Sequence, residues 1–462
     1  MGSPTLFDSD APQSTSCSFG VTEKGGPHLF QENPGGAYGF VWLRTEISLP
    51  PQSPHRGTHA MKTDRVCRRV SIILLCVTLI ASFSSAQTGW VVNGAGTRAA
   101  GMGYAFTGLA DDASAVTWNP AGIAQLARPE ISAGFRTIFT SVNIDFPPEY
   151  GIQGYTYDGT PTFEVNFASV IYPFKIQTHN VALGVSYRKL YAFGENFKEN
   201  YIELSTDYPP VETRHDNEYT ASGGVGAYAG TIGVQVTNFL MLGGTVNIIK
   251  SSATTKQKGV STTTVNFDYS YDYDYSGTTF DLGVLVKKDW FSGGVDVNLP
   301  QSITVDSKFR PQMAGYTDFD TTYTIDLPTQ WGFGIAVRPI DQLTLAADYR
   351  IRPLSDAKIN GKADSAFFAD ANSFHVGAEY LIKLKDSYLP VRAGYYTQPL
   401  EYKDANNSQV IRNIVTAGVG FIVGPLSFDG SVEWYNVSYP IDVNVTRKET
   451  QWRVNFGGVF HF

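Results

Sequence analysis

The sequence predicts an all-β protein: a transmembrane antiparallel β-barrel of about 14 strands, with an N-terminal hatch, or plug, inside the lumen. Four observations predict this fold. Apolar residues alternate with small or polar ones over about nine to eleven positions, the length of a tilted membrane strand. Short and long connections alternate between these stretches, and an amphipathic final stretch ends on Phe462. The content of 26 Tyr, 29 Phe and 45 Gly favours β-structure with aromatic girdles over a helical bundle.

The first 86 residues divide into two parts. Residues 61–86 are predicted to be a secretory signal peptide, with basic residues at Lys62 and Arg65, an apolar run at 70–83 and Ala86 at the cleavage position. The apolar run is shorter than the roughly 20 residues of a membrane-spanning helix. Residues 1–60 lack periodicity and precede a segment that has the features of a complete signal peptide from its first methionine. We therefore interpret them as a non-native extension, with a disordered leader as the alternative.

Charge and cysteine content exclude several classes of function. The net charge of −8 argues against a surface for nucleic acid, which requires clustered Lys and Arg. Cys17, Cys67 and Cys76 all precede residue 87, so the mature chain has no thiol for a Cys nucleophile or a Cys metal site. Its histidines lack metal-ligand spacing, and no phosphate loop or serine-hydrolase elbow is present. The sequence therefore predicts no cofactor, no metal and no enzyme.

Residues 87–129 lack the two-residue alternation of a strand and are the predicted hatch. Glycine and alanine are frequent between residues 94 and 122, which gives a backbone able to turn tightly and pack closely against walls. Asn119 precedes Pro120, whose ring restricts it to extended conformations, and its side chain can bond to nearby backbone groups. Asn119, Pro120 and Ala121 therefore predict a stiff turn, which serves either as part of a gate or as a structural anchor.

This stretch resembles the N-terminal hatch of the FadL/TodX family of outer-membrane hydrocarbon transporters, which carries an Asn-Pro-Ala signature. The Asp111-Asp112-Ala113-Ser114 run is part of the resemblance, and the stretches 327–331 and 391–395 look like strand starts of the same family. The resemblance implies a 14-strand barrel in the outer membrane of a Gram-negative-type bacterium.

Residues 130–462 are the predicted barrel. In its final strand Trp452, Val454 and Phe456 lie on one face, which is apolar. Arg453 and Asn455 lie on the opposite face, which is polar. Six short and seven long connections give fourteen strands, with both ends of the sheet on the short-turn side, as in bacterial barrels whose short turns face the periplasm. The predicted long connections are residues 142–160, 194–217, 251–276, 306–318, 360–369, 399–408 and 439–448.

Two alternatives concern the barrel. An extra strand pair within residues 263–273 would raise the count to sixteen. A soluble β-sandwich or propeller shows the same alternation, with its apolar face lining a dry core. The signal peptide, the absence of thiols and the terminal Phe462 favour the membrane barrel, and Phe462 resembles the signal read by the outer-membrane barrel assembly machinery.

The resemblance implies uptake of hydrophobic compounds, with long-chain fatty acids as the default ligand: binding in an apolar lumen pocket, then release through the wall into outer-membrane lipid. Burying methylenes at roughly 0.8 kcal/mol each supplies ample binding energy. A fatty carboxylate would need a cation in the lumen. Strand parity puts Arg136, Arg188 and Arg392 on the wet face as candidates, although lumen arginines pair more often with acidic side chains. The remaining alternatives are a secretion-accessory or shuttle barrel, a general porin and an outer-membrane lipase.

Overall fold

A computed structural model gives the structure of residues 94–205, 209–263, 266–313, 315–363 and 368–462. The predicted extension 1–60, the signal peptide 61–86 and residues 87–93 of the predicted hatch lie outside these described residues. The boundaries proposed for them stay predictions.

The described residues form twenty β-strands in one antiparallel sheet. The strands are β1 (Glu130–Asp145), β2 (Ile152–Thr160), β3 (Thr162–Ile176), β4 (His179–Ala192), β5 (Glu195–Leu204), β6 (Glu212–Gln235), β7 (Leu240–Ser261), β8 (Phe267–Lys288), β9 (Phe291–Asn298), β10 (Gln301–Pro311), β11 (Phe319–Leu327), β12 (Gln330–Ile340), β13 (Leu343–Ile351), β14 (Lys358–Ile359), β15 (Lys362–Ala363), β16 (Ser373–Lys383), β17 (Ser387–Lys403), β18 (Gln409–Val423), β19 (Leu426–Asp442) and β20 (Val445–His461).

The sheet closes into a barrel because its first and last strands pair. β1 and β20 run antiparallel in unbroken register from Glu130↔His461 to Asp145↔Thr446. Closure pairs the first strand of the sheet with the last, so neither presents a free edge, as a membrane barrel requires. The predicted all-β barrel is confirmed.

Six of the fourteen wall strands are each built from two consecutive β-strands. Proline sits at several of the breaks, as at Pro161 between β2 and β3, Pro300 between β9 and β10, and Pro328 between β11 and β12. Proline cannot donate to the hydrogen-bond ladder, so a continuous strand is interrupted there. Counting each broken pair once gives the predicted fourteen rather than sixteen.

The outer surface carries an apolar band. In β20 the exposed side chains Trp452, Val454, Phe456 and Phe460 face outwards, while Asn455 between them is buried. These exposed residues span nine positions, the length of one crossing of the hydrocarbon layer. Trp452 packs on Trp434 at one border of the band, and Phe460 stacks on Phe462 at the other.

Several predicted long loops are wrong, because the strands continue beyond the membrane. β7 extends to Ser261 and β8 begins at Phe267, so most of residues 251–276 is a paired hairpin. The connection predicted at 439–448 is a turn of two residues, Val443 and Asn444, between β19 and β20. The polar side chains of these strand ends resemble those of loops. Antiparallel pairing nevertheless satisfies the backbone hydrogen-bonding groups of a strand in water as well as in lipid.

The wall has an unpaired window between β3 and β4. The β3–β4 ladder ends at Phe167↔Arg188, and pairing resumes between β2 and β5 at Thr160↔Asn196. Between these points the described residues show no pairing of 161–166 with 189–194: β3 pairs there with β1, and β4 pairs with β6. We call this opening, bounded by residues 161–166 and 189–194, the wall window.

The described helices are short: three precede the barrel, and two 3₁₀ helices, Pro148–Tyr150 and Leu354–Asp356, lie between strands of the barrel. α1 (Thr97–Gly101), α2 (Ala115–Trp118) and a 3₁₀ helix (Pro120–Gln125) lie in residues 94–129, which we call the N-terminal segment. No helix within the described ranges has the length and apolar character needed to cross a membrane.

The outward band predicts a position-dependent cost for added charge. Phe456→Arg, at the middle of the band, should destabilise the barrel by about 2–4 kcal/mol because it places a charge at the bilayer midplane. Val443→Arg, at the exposed turn after β19, should cost about 0–1 kcal/mol. Urea unfolding in lipid vesicles measures both, and equal costs would contradict the assigned band.

Candidate functional site

The N-terminal segment lies inside the ring of strands. Its side chains contact strands around the barrel: Arg98 binds Glu379 of β16, Asn119 binds Val284 of β8, and Tyr104 binds Glu433 of β19. Nearly every residue from 94 to 126 is buried. The segment therefore fills the cross-section of the lumen at this level.

Close approach depends on glycines in the wall. A β-carbon placed on any of eight wall glycines, each in a different strand, would come within 3.0 Å of an atom of the N-terminal segment. We call them the wall glycines: Gly233, Gly243, Gly283, Gly294, Gly334, Gly377, Gly394 and Gly457. Since real β-carbons essentially never approach so closely, no other residue fits at these positions without movement of the segment.

The turn formed by Asn119, Pro120 and Ala121 is anchored to both the segment and the wall. The Asn119 side-chain oxygen accepts a hydrogen bond from the Ala121 amide at 3.2 Å. Its amide nitrogen donates to the Thr107 carbonyl at 3.1 Å and to the Val284 carbonyl of β8 at 2.9 Å. Asn119 is fully buried, so all of these bonds form away from water. The arrangement fits the predicted stiff turn.

An aspartate and a histidine of the wall hold the segment's backbone. The carboxylate of Asp348 in β13 accepts from the amides of Phe106 and Thr107 at 2.8 and 2.6 Å. On β16, His375 Nδ1 lies 2.8 Å from the Gly103 carbonyl oxygen. Tyr104 has φ of 59°, in the left-handed region that non-glycine residues rarely adopt. These bonds hold the backbone in a conformation that it would otherwise leave.

An ionic network lies on the short-turn side of the segment. The Arg98 guanidinium contacts Glu379 at 2.8 Å and Asp111 at 2.6 Å, and Asp111 also pairs with Arg338 of β12 at 2.8 Å. Asp112 lies 3.3 Å from Arg98. Burial raises the pKa of Asp112, and the neighbouring Arg98 acts in the opposite direction. This network ties the segment to two strands by charge.

The three arginines predicted as carboxylate candidates all face the interior, and each already has acidic partners. Arg136 lies between Glu164 and Glu433 and donates to the Gly94 carbonyl at 3.1 Å. The partner of Arg188 is Asp281. Those of Arg392 are Glu379 and Asp429, each at 2.6 Å. Their assignment to a substrate carboxylate stays a prediction, and such a ligand would have to compete with these partners.

Above the segment, towards the long-loop end, the lumen is apolar on the side of β4 to β11, whereas Arg412, Arg447 and Glu449 form a buried ionic group on the side of β18 and β20. The buried apolar side chains come from β4 through β11, and Leu354, Phe368 and Ala371 join them from the connection 352–372, which includes the short β14 and β15 and of which residues 364–367 lie outside the described part. We call this group the upper lumen cluster; the wall contributes Tyr191, Phe193, Val225, Ala227, Ile249, Ala253, Tyr273, Tyr275, Ile303, Val305, Tyr323, Ile325 and Leu327. Phe193 also belongs to the edge of the wall window. The apolar interior therefore reaches the opening in the wall.

A row of aromatic rings leads from the outer end into this cluster. On β8, Tyr269, Tyr271, Tyr273 and Tyr275 follow one another on one face, with neighbouring ring centroids 5.9 to 6.3 Å apart. Phe309 of β10 packs against Tyr271 at 4.9 Å. The outermost rings are partly exposed and the inner two are buried. The row gives apolar molecules a continuous contact surface.

Two cavities border the N-terminal segment. A cavity of about 50 Å³ lies on its upper side, lined by Tyr104, Trp118, His375 and Tyr396 among others. A larger one of about 750 Å³ lies at the short-turn end. In the described residues no group of three or more His, Cys, Asp or Glu side chains could hold a metal ion.

Several of these residues were not predicted from the sequence. The wall glycines stand at inward positions of the strands, where parity could have drawn attention to them, but glycine is also common on the outer face. Glu379 and Asp348 are separated from their partners by 281 and about 240 residues, and no local pattern connects such positions.

These features define a class: a β-barrel of the outer membrane whose lumen is filled by its own N-terminal segment. A sequence profile described as "Outer membrane protein transport protein (OMPP1/FadL/TodX)" matches residues 77–429. The chain belongs to this family of transport proteins. The family resemblance and the outer-membrane location predicted from the sequence are thereby confirmed.

Solved structures show the same fold. The Ralstonia pickettii toluene transporter TbuX is 14% identical, with 80% of this chain and 99% of that chain covered, at a TM-score of 0.52. The Pseudomonas putida toluene transporter TodX is 12% identical, with 81% of this chain and 98% of that chain covered, at a TM-score of 0.50. A deltaS2 mutant of the TodX monoaromatic hydrocarbon channel is 13% identical, with 80% of this chain and 99% of that chain covered, at a TM-score of 0.54. Compared by sequence with curated proteins, the chain has no match.

The wall glycines yield a prediction for packing of the segment. Gly283→Ala places a methyl group against the Asn119 side chain and should cost about 1–3 kcal/mol through overpacking. Gly230→Ala in β6 is the matched control, because its β-carbon would have no atom within 4 Å. Thermal unfolding of the purified barrels compares the two variants. Equal stability would show that the segment does not press on the wall at this point.

Proposed function

We propose that this protein takes up small hydrophobic compounds across the outer membrane, aromatic hydrocarbons foremost, and releases them sideways through the wall window into the bilayer. The observation that carries the proposal is the contact between the apolar upper lumen cluster and that window, through Phe193. An apolar molecule in the lumen would then meet hydrocarbon at the window rather than water.

Capture is assigned to the row of aromatic rings on β8. Partly exposed Tyr269 and Tyr271 offer flat apolar faces near the outer end, and buried Tyr273 and Tyr275 continue them inwards. Aromatic contacts of this kind contribute about 0.5–1.5 kcal/mol each beyond the area that they bury. Successive weak contacts favour entry without trapping the molecule at one position.

Transport requires movement near the N-terminal segment. The cavity on its upper side holds about 50 Å³, whereas an engineered cavity that binds benzene holds about 150 Å³. A monoaromatic molecule therefore fits only after side chains of the segment or of the connection 352–372 shift. In this proposal Asn119, Pro120 and Ala121 hold the segment in place and form part of the gate.

Polar groups close the wall window. Lys189 on one edge lies 3.1 Å from Glu164 on the other, and Asn166 donates to the Gly94 carbonyl of the segment at 3.1 Å. A shift of the N-terminal segment would remove that bond at the lower edge of the window. Opening of the window is in this way linked to the position of the segment.

The substrate class is inferred from the interior and from the relatives. Two similar structures are described as toluene transporters and one as a monoaromatic hydrocarbon channel. Arg136, Arg188 and Arg392 have acidic partners, which favours an uncharged substrate. Long-chain fatty acids are the second candidate, and the same arginines would have to exchange partners to bind a fatty carboxylate.

Export and assembly complete the proposal. The signal peptide at 61–86 would direct the chain to the periplasm. Phe462, exposed at the short-turn end, would be the residue that the barrel assembly machinery reads. Outer-membrane lipids would receive the released compound.

Complementation of a deletion strain tests the function. Restored uptake of labelled toluene by the wild-type gene, with little effect on labelled oleate, is the expected result. Restored oleate uptake alone would favour fatty acids. If the deletion leaves uptake of both compounds unchanged but causes secreted proteins to be retained in the cell, the result would favour the secretion-accessory alternative and overturn the proposal.

A reversible cross-link tests the sideways exit. A β-carbon on Gly194 would lie 3.6 Å from the Thr162 side chain across the wall window, a spacing that a disulfide can bridge. Thr162→Cys combined with Gly194→Cys should abolish toluene uptake when oxidised and regain it when reduced. The mature chain has no other thiol, and each single-cysteine variant is a control. Full uptake by completely cross-linked protein would exclude exit through this window.

A further inference from the structure

The cavity of about 50 Å³ on the upper side of the N-terminal segment, which we call the upper cavity, has an aromatic side and a polar side. The aromatic side is formed by Trp118, Tyr104, Tyr396 and His375. In that order each ring lies next to the following one, with centroids 5.3, 5.4 and 5.4 Å apart. An aromatic ligand would therefore meet other rings in this cavity, in arrangements that are favourable for aromatic pairs.

The polar side is formed by neighbouring residues of two strands. Arg350 of β13 and Ser373 of β16 stand directly opposite each other in the ladder, and both line the upper cavity. Both belong to paired strands of the wall. We therefore expect them to keep their places when side chains of the N-terminal segment shift to admit a ring.

The hydrogen bonds of His375 fix the direction in which Ser373 can bond. His375 Nδ1 lies 2.8 Å from the carbonyl oxygen of Gly103, and since a carbonyl oxygen only accepts, Nδ1 carries the proton. Histidine is mainly neutral at pH 7, and in the neutral ring Nε2 is then an acceptor. Ser373 Oγ lies 2.9 Å from Nε2, so it donates its hydrogen there. The Ser373 hydroxyl can therefore offer a ligand only an acceptor.

Arg350 supplies the complementary donors. Its guanidinium has five N–H groups. In the described part of the chain, Nη1 donates to Thr107 Oγ1 at 3.3 Å and Nη2 donates to Asp296 at 3.1 Å, which leaves further N–H groups for a ligand. The Arg350 Cζ atom lies 5.6 Å from the centre of the Trp118 ring. The donors are thus placed where the polar side meets the aromatic side.

A hydroxyl group satisfies both of these neighbours, because it donates one hydrogen bond and also accepts. It can donate to Ser373 and accept from Arg350. An ammonium group has no acceptor for Arg350, and a carboxylate or an ether has no donor for Ser373. Among the described residues that line the upper cavity none is an Asp or a Glu, which further disfavours a cation.

We propose that the upper cavity selects phenols, aromatic rings that carry one hydroxyl group, over hydrocarbons of the same size. This inference rests on the uptake function proposed above and names a substrate class for its route. The ring packs among Trp118, Tyr104 and Tyr396. The hydroxyl group donates to Ser373 Oγ and accepts from the Arg350 guanidinium.

Calorimetric titration of the purified full chain in detergent tests this selection. The probes are phenol, anisole, toluene and benzoate, each titrated also into empty micelles. Phenol should bind about threefold to tenfold more tightly than anisole, the factor that one neutral hydrogen bond contributes, because the methyl ether cannot donate. Equal binding of phenol and anisole would overturn the proposal, and so would tighter binding of benzoate or the absence of saturable phenol binding. Saturable toluene binding without a preference for phenol would overturn this inference alone and leave the uptake function standing.

A matched pair of variants locates the hydroxyl contact. Ser373→Ala should reduce the preference for phenol over anisole to about one, because it removes the acceptor. Ser431→Ala in β19 should retain the preference, since Ser431 is 7% exposed, against 9% for Ser373, but does not line the upper cavity. A preference that is lost equally in both variants, or kept in full by Ser373→Ala, would contradict the assignment. If Ser373→Ala does not fold, the comparison of phenol with anisole on the unaltered protein decides.

Discussion

The structure depends on the close approach of one backbone to a ring of others. Eight wall glycines, in eight strands, lie so near the N-terminal segment that no β-carbon fits between them. Where the wall lacks side chains, the backbone amide of Phe106 reaches the carboxylate of Asp348, and the side-chain amide of Asn119 reaches the Val284 carbonyl of the wall. Tight packing and buried hydrogen bonds then reinforce each other. The lumen is closed by this fit rather than by a single side chain.

An apolar part of the lumen lies above the segment, and an ionic layer lies below it. Below it the interior is ionic, with Arg98 shared among Glu379, Asp111 and Asp112. Above it, on the side of β4 to β11, lie tyrosines, phenylalanines and aliphatic side chains, which extend to the wall window, while the ion-paired Arg412, Arg447 and Glu449 lie on the side of β18 and β20. Moving an apolar molecule down through the ionic layer would require desolvating charges, whereas the window leads to the membrane. The sideways route that we propose rests on this contrast.

The architecture was largely predictable from the sequence, and the site only partly. Two-residue alternation such as Trp452 to Phe456 is a local signal, and it predicted the strands and their outer face. The count of short and long connections, together with the family resemblance, predicted the number of strands. The sequence underestimates how far the strands extend beyond the membrane, because the side chains of a polar stretch such as 251–276 are alike whether its backbone is paired in a hairpin or forms a loop. The window arises where β3 keeps its pairing with β1 but no longer pairs with β4, and register between distant strands has no local signature. Arg98 and Glu379 meet across 281 residues for the same reason.

Ion conductance of the purified barrel in planar lipid bilayers tests the closed lumen most directly. If the N-terminal segment fills the ring of wall glycines, the wild-type protein should insert without opening a steady ohmic pore. A stable, voltage-independent conductance with every insertion would contradict this account, because it would mean that water and ions pass straight through the barrel as in a general porin.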